Sequence, residues 1–423
     1  MKEQYNKTTL SNGIRVITER LDHVRSISLG IAILVGTKHE SPYENGISHF
    51  LEHILFKGTQ KRTAKQIAQE IEGVGGEVNA YTSKEFTYFY ARFPSHHLHK
   101  IWDVLADILT NEYFNPTAIE LEKRVVGEEI KSFLDSPSDQ TFFGLDQLLY
   151  PGHPLSRPIL GEWKVVSRLK DKQLVEFKRK HYTANRIIVA AAGAVEHNEL
   201  VDLVDRYFHK LTPGGDIQVP KLPPYKPRIF TKKQRDISQV HVAIGNRTFP
   251  YASDERPPLV LGNAILGGTM SSRLFQRLRE SEALVYTVSS YLEFYCEAGS
   301  LEIYFATAPR NVVKSLKSIR EEMLHLRKKL QEDELQRMKN YITGGLIISS
   351  ESTVYRMRKL MRDEIYEGKY VPLDEVIARF NSIKMDDILA TLDKYLKPDQ
   401  FSISAVGAIT PKDAHNLEVL WHE

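Results

Sequence analysis

One cysteine, Cys296, stands in 423 residues. An internal disulfide framework and a cysteine-rich metal site are thereby excluded, because each needs at least two thiols. No apolar run approaches the roughly 20 residues that a membrane-spanning helix requires. A surplus of one charge is also missing: 57 Lys and Arg against 54 Asp and Glu leave a formal charge of +3, too little to build a basic face for nucleic acid. The opening Met1-Lys2-Glu3-Gln4-Tyr5 is polar and carries an acid, unlike a secretory or mitochondrial targeting segment. With the lone cysteine, this makes a bacterial cytoplasm the expected location. What the chain does have is core-forming material, 42% hydrophobic residues over a length that supports two or more domains.

Among the polar residues, His49-Phe50-Leu51-Glu52-His53 is the most informative run. Positions i, i+3 and i+4 share one face of an α-helix, so His49, Glu52 and His53 project together. Ile47, Phe50, Leu51, Ile54 and Leu55 gather on the opposite face, with Asn45 placed to cap the start and Gly58 following the last apolar turn. Two imidazoles on one face suit Zn²⁺, and a carboxylate beside them suits a base that takes a proton from water. The order H-x-x-E-H inverts the commoner H-E-x-x-H signature. Spacing alone also allows a helix whose polar face simply carries two histidines.

A helix is predicted over residues 117–134, opened by Asn115-Pro116. On a helical wheel, Ala118, Val125, Val126 and Phe133 form an apolar stripe. Glu122 and Glu129, two turns apart, fall within it, and Glu128 falls outside. A buried carboxylate is costly unless it is paired or bound to a metal. Two inward glutamates therefore call for a cation, either a basic side chain or the ion held by His49 and His53.

The clearest break in the chain is the Pro/Gly-rich stretch from Thr212-Pro213-Gly214-Gly215 to Pro227. It divides the chain into residues 1–211, a linker at 212–228, and residues 229–423. Each half opens with alternating strand patterns (residues 13–18 and 26–32, then 240–245), and each has a late strand stopped by glycine (186–193 and 400–407). Helical patterns at 257–266, 312–328 and 332–349 complete an α+β reading. It comprises two homologous domains, each an antiparallel-rich sheet packed with helices. Residues 77–82 and 86–90 read as a hairpin, ordinary by pattern alone. Arg279 and Tyr286 read by spacing as a surface arginine and a half-buried tyrosine. His96, His97 and His99 read as surface residues, and His153, between Gly152 and Pro154, as structural.

His49, Glu52 and His53, with Glu129 placed 129 − 53 = 76 positions beyond, resemble the pitrilysin/insulin-degrading enzyme/mitochondrial processing peptidase superfamily. The likeness runs essentially end to end and is closest to short bacterial processing-peptidase-like members. It implies a zinc metalloendopeptidase with one Zn²⁺ per chain, held by His49, His53 and Glu129. Glu52 would be the general base and Glu122 a support for a ligand histidine. Gly75-Gly76-Glu77-Val78-Asn79-Ala80-Tyr81-Thr82 looks like the family's active-site edge strand, so Asn79, Ala80 and Tyr81 would hold a peptide or unfolded segment. Arg273-Leu274-Phe275 with Arg279 and Tyr286 looks like its substrate clamp, with Arg279 and Tyr286 reaching the scissile region. Larger members divide these two sets between halves of a chamber. A chain with both sets and the length of one half implies a homodimer in which the partner supplies Arg279 and Tyr286. No nucleic acid or membrane partner is implied. Some family members are catalytically silent peptide-binding or assembly subunits, the alternative kept beside the enzyme.

Overall fold

The computed structural model describes residues 4–234, 237–409 and 421. Two compact units emerge. The first comprises Met1–Lys131, Arg157–Pro220 and Ile348–Pro372, and the second Ser132–Ser156, Lys221–Ile347 and Leu373–Glu423. The Pro/Gly-rich linker is therefore one of several crossings, and two segments lie in the unit opposite to the one that chain position assigns.

The first unit is built on strands β1 (Gln4–Thr9), β2 (Arg15–Arg20), β3 (Ser26–Ile33), β4 (Glu77–Thr82), β5 (Thr87–Pro94) and β6 (Ile187–Gly193), in the order β1-β2-β6-β3-β5-β4. Only the β2–β6 pair is parallel. Period-2 alternation gives this sheet two apolar faces. Ile27, Leu29, Ile31, Val189 and Ala191 join the main core with the helices α1 (Ile47–Leu55), α2 (Ala64–Glu72), α3 (Leu98–Thr110) and α4 (Pro116–Asp135). Ala32, Ile188, Ala190 and Ala192 face the other way, where the helix Thr353–Tyr366 brings Met357, Leu360 and Met361. Small residues let that helix come close. A Cβ on Gly30 would lie 2.6 Å from Met357 Sδ, nearer than packed atoms approach. Polar ties fix the same helix, including Ser28 Oγ to Thr353 Oγ1 at 2.8 Å and the Lys7–Glu364 ion pair at 2.7 Å.

The second unit repeats the plan. Its strands β7 (Ile229–Lys233), β8 (Val240–Thr248), β9 (Val285–Phe294), β10 (Gly299–Thr307) and β11 (Ser402–Gly407) follow the order β7-β11-β8-β10-β9. Read as β2 to β6, they have the same order, and β7–β11 is the parallel pair. The α5 helix (Pro137–Leu149), drawn from the first half of the chain, covers one face through Leu145 and Leu149 against Ala243, Tyr304 and Ala306. The helices Arg256–Asn263, Val312–Lys328 and Met385–Tyr395 cover the other face. The expected α+β class with two duplicated sheets is thus the architecture found, and each half lends the other a covering helix. Among the described residues no helix is long and apolar enough to cross a membrane.

Candidate metal centre

Helix α1 carries the H-x-x-E-H run with its apolar side sealed, since Ile47, Phe50, Leu51, Ile54 and Leu55 are all buried. Its start differs from the sequence expectation. Gly46, not Asn45, is the N-cap, at φ 97°, and a Cβ there would meet Gly161 Cα at 2.8 Å. Only glycine accepts both that backbone and that contact. The exposed N–H groups of the first turn are satisfied by Glu40 instead. Its carboxylate accepts from Gly46 N at 2.8 Å, Ser48 N at 2.8 Å and Asn45 Nδ2 at 3.0 Å. Burial pushes the Glu40 carboxyl up to about 7 against the pull of these hydrogen bonds. A carboxylate at a helix N-terminus also faces the positive end of the helix dipole.

Helix α4 supplies the third group. Glu129 Oε2 lies 3.7 Å from His49 Nε2 and 3.6 Å from His53 Nε2, too far for a hydrogen bond, and this buried atom has no hydrogen-bond partner among the described residues, although the side chain as a whole is partly exposed. On the opposite ring edge, His53 Nδ1 donates to Glu122 Oε1 at 2.8 Å. Glu122 is also paired with Lys57 Nζ at 2.9 Å. Burial alone would raise Glu122, but His53 and Lys57 hold its carboxyl below the usual range. An ionised Glu122 places the proton of His53 on Nδ1, which leaves the Nε2 lone pair facing Glu129. Burial, then the neighbouring His53, lowers His49 to about 3, so its imidazole is neutral. For His53 burial works downward, but the hydrogen bond to Glu122 and the surrounding carboxylates outweigh it and raise the group.

Among the described residues, His49, His53 and Glu129 form a group whose ligand atoms all lie within 4.8 Å of one another. Tetrahedral Zn²⁺ with N and O ligands at about 2.0–2.2 Å sets those atoms about 3.3–3.5 Å apart. Separations of 3.7 and 3.6 Å, slightly wider than this, and the orphaned Glu129 oxygen fit such an ion, and a two-histidine, one-carboxylate set leaves a position open for water. Glu122 is buried and Glu128 is solvent-exposed with Lys131 at 2.7 Å, on the sides of the helix that the wheel gave them. The same wheel misplaced Val125. It is 45% exposed, and the buried side of α4 comprises Ile119, Glu122, Lys123, Val126, Gly127 and Ile130.

Glu52 stands beside this group without joining it. Thr82 Oγ1, at the end of β4, donates to Glu52 Oε2 at 2.6 Å. Burial raises the Glu52 carboxyl, and the Thr82 hydroxyl and the neighbouring His53 oppose the rise. Among the described residues β4 is an edge strand paired only with β5. Asn79 and Tyr81 lie on its exposed face, whereas Ala80 and Thr82 turn inward. Asn79 Oδ1 accepts from Ala80 N at 2.8 Å. Tyr81 rests on Tyr88 and Phe86, with ring centroids 5.2 and 6.1 Å away.

Arg279 and Tyr286 belong to the second unit, on the wide helical turn Phe275–Ser281 and on β9. The Arg279 guanidinium lies 5.1 Å from the Tyr286 ring centroid and 4.8 Å from that of Phe275, and Tyr286 is 75% exposed. Ala283, between them, holds φ 49°, a left-handed conformation that costs a residue with a Cβ about 1 kcal/mol. The helix Arg256–Asn263, on the element that repeats α1, carries no histidine or acid. His153 is buried and accepts from Leu155 N at 3.2 Å, a structural role. His99 is exposed and pairs with Glu199 at 2.8 Å.

Sequence reasoning missed three residues of this neighbourhood. Lys57 continues the i, i+4 row of His49 and His53 past the helix end, a signal that was there to use. Thr82 shares the strand face of Ala80 by period-2 alternation. Glu40 lies in a loop and has no local signature.

Comparison with known proteins agrees with the geometry. The family described as insulinase (peptidase family M16) matches residues 15–162, and the peptidase M16 inactive domain matches residues 168–342. An uncharacterized zinc protease of Rickettsia felis is 35% identical over 414 residues, covering 98% of this chain and 99% of that protein. Another from Bacillus subtilis is 34% identical over 381 residues, covering 90% and 93%. Among solved structures, a protease from Helicobacter pylori has a TM-score of 0.88 at 21% identity, covering 96% of this chain and 99% of that one. A peptidase M16 inactive domain from Pseudomonas fluorescens has a TM-score of 0.90 at 19% identity, with the same coverage.

Proposed function

Because the chain belongs to peptidase family M16, we propose that it is a zinc metalloendopeptidase hydrolysing peptides and unfolded segments. The observation that carries this reading is the convergence of His49 Nε2, His53 Nε2 and Glu129 Oε2 beside the separate carboxylate of Glu52. His49, His53 and Glu129 would hold one Zn²⁺ per chain, which supplies Lewis acidity toward water and the peptide carbonyl when bound.

The protein's own groups do the rest. Glu52 Oε2 is occupied by Thr82, so Oε1 receives the proton of the attacking water and returns it to the leaving amine nitrogen. Glu122 keeps the His53 ring in the tautomer and direction that present Nε2. The free edge of β4 accepts the substrate as an added strand, with backbone bonds giving affinity and little demand on sequence. Asn79 and Ala80 lie along that edge, and Tyr81 offers an aromatic wall to a side chain. Arg279 and Tyr286, a cation stacked on a phenol, suit stabilisation of the developing oxyanion. In the homodimeric reading each partner supplies this pair to the other's metal site and the two chains enclose a chamber. A two-fold dimer is the commonest oligomer.

Metal analysis and digestion of a peptide library test the proposal together. One zinc per chain, cleavage of unstructured peptides and loss of cleavage on chelation are expected. Zinc-loaded protein that binds peptides without cutting them would instead mark a silent binding subunit.

A further inference from the structure

Glu52 sits between two ligand histidines in sequence and carries the same oxygen donors as Glu129, yet it stays outside the group formed by His49, His53 and Glu129. Something must hold it there. Its side chain has three rotatable bonds, and helix α1 fixes only their origin. The constraint comes from another element: Thr82 Oγ1 donates to Glu52 Oε2 at 2.6 Å. Thr82 is itself well fixed. It is buried, and it pairs in register with Thr87, whose hydroxyl donates to Val35 O at 2.9 Å.

We propose that Thr82 is a positioning residue that aims Glu52, keeping it a proton acceptor and preventing it from closing the metal site as a fourth ligand. This rests on the peptidase reading above. The hydroxyl ties down one carboxylate oxygen and leaves the other for water. Because Thr82 terminates β4, the strand that would receive the peptide also orients the base. Proton acceptor and substrate edge are thereby set in one frame, a precondition for the near-attack geometry that gives proximity its large effect.

Thr82→Val removes the hydroxyl and keeps the β-branched shape that a strand favours. We expect kcat to fall about tenfold or more, a part of the ~10²–10⁴-fold that a general base contributes, with KM within about twofold. Zinc should stay at one per chain, and Thr82→Ser should recover most of the rate. In the Glu52→Gln background the valine change should cost less than about twofold, because a residue acting through Glu52 has nothing left to aim. Crystal structures of the zinc-loaded wild type and Thr82→Val should show the Glu52 carboxylate displaced in the variant. If valine prevents folding, Thr82→Ala carries the same comparison. Unchanged kcat, a loss confined to KM, zinc lost in step with rate, or equal costs in both backgrounds would overturn the proposal. A wild-type protein that cuts no peptide, together with a displaced Glu52 in the variant, would sink the peptidase reading while leaving the aiming role in place.

Discussion

Glu128 and Glu129 are neighbours in the chain with opposite surroundings: Glu128 pairs with Lys131 at the surface, whereas Glu129 Oε2 faces the Nε2 atoms of His49 and His53. Their conservative amides should therefore behave differently. Glu129→Gln is expected to lose most of its zinc and Glu128→Gln to keep it. Glu122→Gln should fall between them, at about the 10–100-fold loss in affinity typical of a group supporting a ligand. Elemental analysis after dialysis against a graded chelator measures all three, and equal losses at 128 and 129 would refute the assignment.

Glu52→Gln keeps the size of the side chain and one carbonyl-type oxygen for Thr82 but cannot take a proton. Zinc content should match the wild type while turnover falls by about 10²–10⁴-fold. A Gln variant with full turnover would assign the base elsewhere.

Mixing two inactive variants checks the shared site. Chains with Glu52→Gln and chains with Arg279→Ala, allowed to exchange, form mixed dimers with one complete site each. Activity per mixed dimer should recover toward half that of the wild type. Demonstrated exchange without recovery would mean that Arg279 serves its own chain or no site at all.

His181 gives a pH prediction. It is 2% exposed, neither ring nitrogen has a hydrogen-bond partner among the described residues, and burial, aided by Lys180 and Arg186, lowers it to about 4. The unfolded chain binds a proton there below about pH 6.5, which the folded chain refuses down to about pH 4. Folding stability is thus intact above pH 6.5 and declines as pH falls through this window, by on the order of 3 kcal/mol in total. Denaturant titrations of metal-free wild type and His181→Leu at pH 7 and pH 5 should show the variant gaining about 2 kcal/mol relative to wild type at the lower pH. A pH-independent difference would mean that His181 titrates normally in the fold.

What was legible in the sequence was local in origin. His49, Glu52, His53, Glu122 and Glu129 announce themselves because helical spacing converts sequence distance directly into a shared face. The duplicated sheets show in the same way, through strand alternation and the glycine stops at Gly193 and Gly407. Thr82 reaches Glu52 from the end of a distant strand, and Glu40 reaches the first turn of α1 from the loop before it, and no periodicity encodes either meeting. Val125 failed for a different reason: an apolar side chain carries no obligation to be buried. The exchange of α5 and the helix Thr353–Tyr366 was hidden because an amphipathic pattern declares that a helix needs a sheet, not which one.

That exchange bears on how the protein is made. All three candidate ligands have been synthesised by residue 129 and the last strand of the first sheet by Gly193, yet the helix that lids Ala32, Tyr88, Ile188 and Ala190 begins only at Thr353. For more than a third of synthesis the nascent half that carries the candidate ligands has a bare apolar back, the kind of surface that recruits chaperones or aggregates. A fragment cut at the Pro/Gly-rich linker would keep every candidate zinc ligand and remain in that unfinished condition permanently.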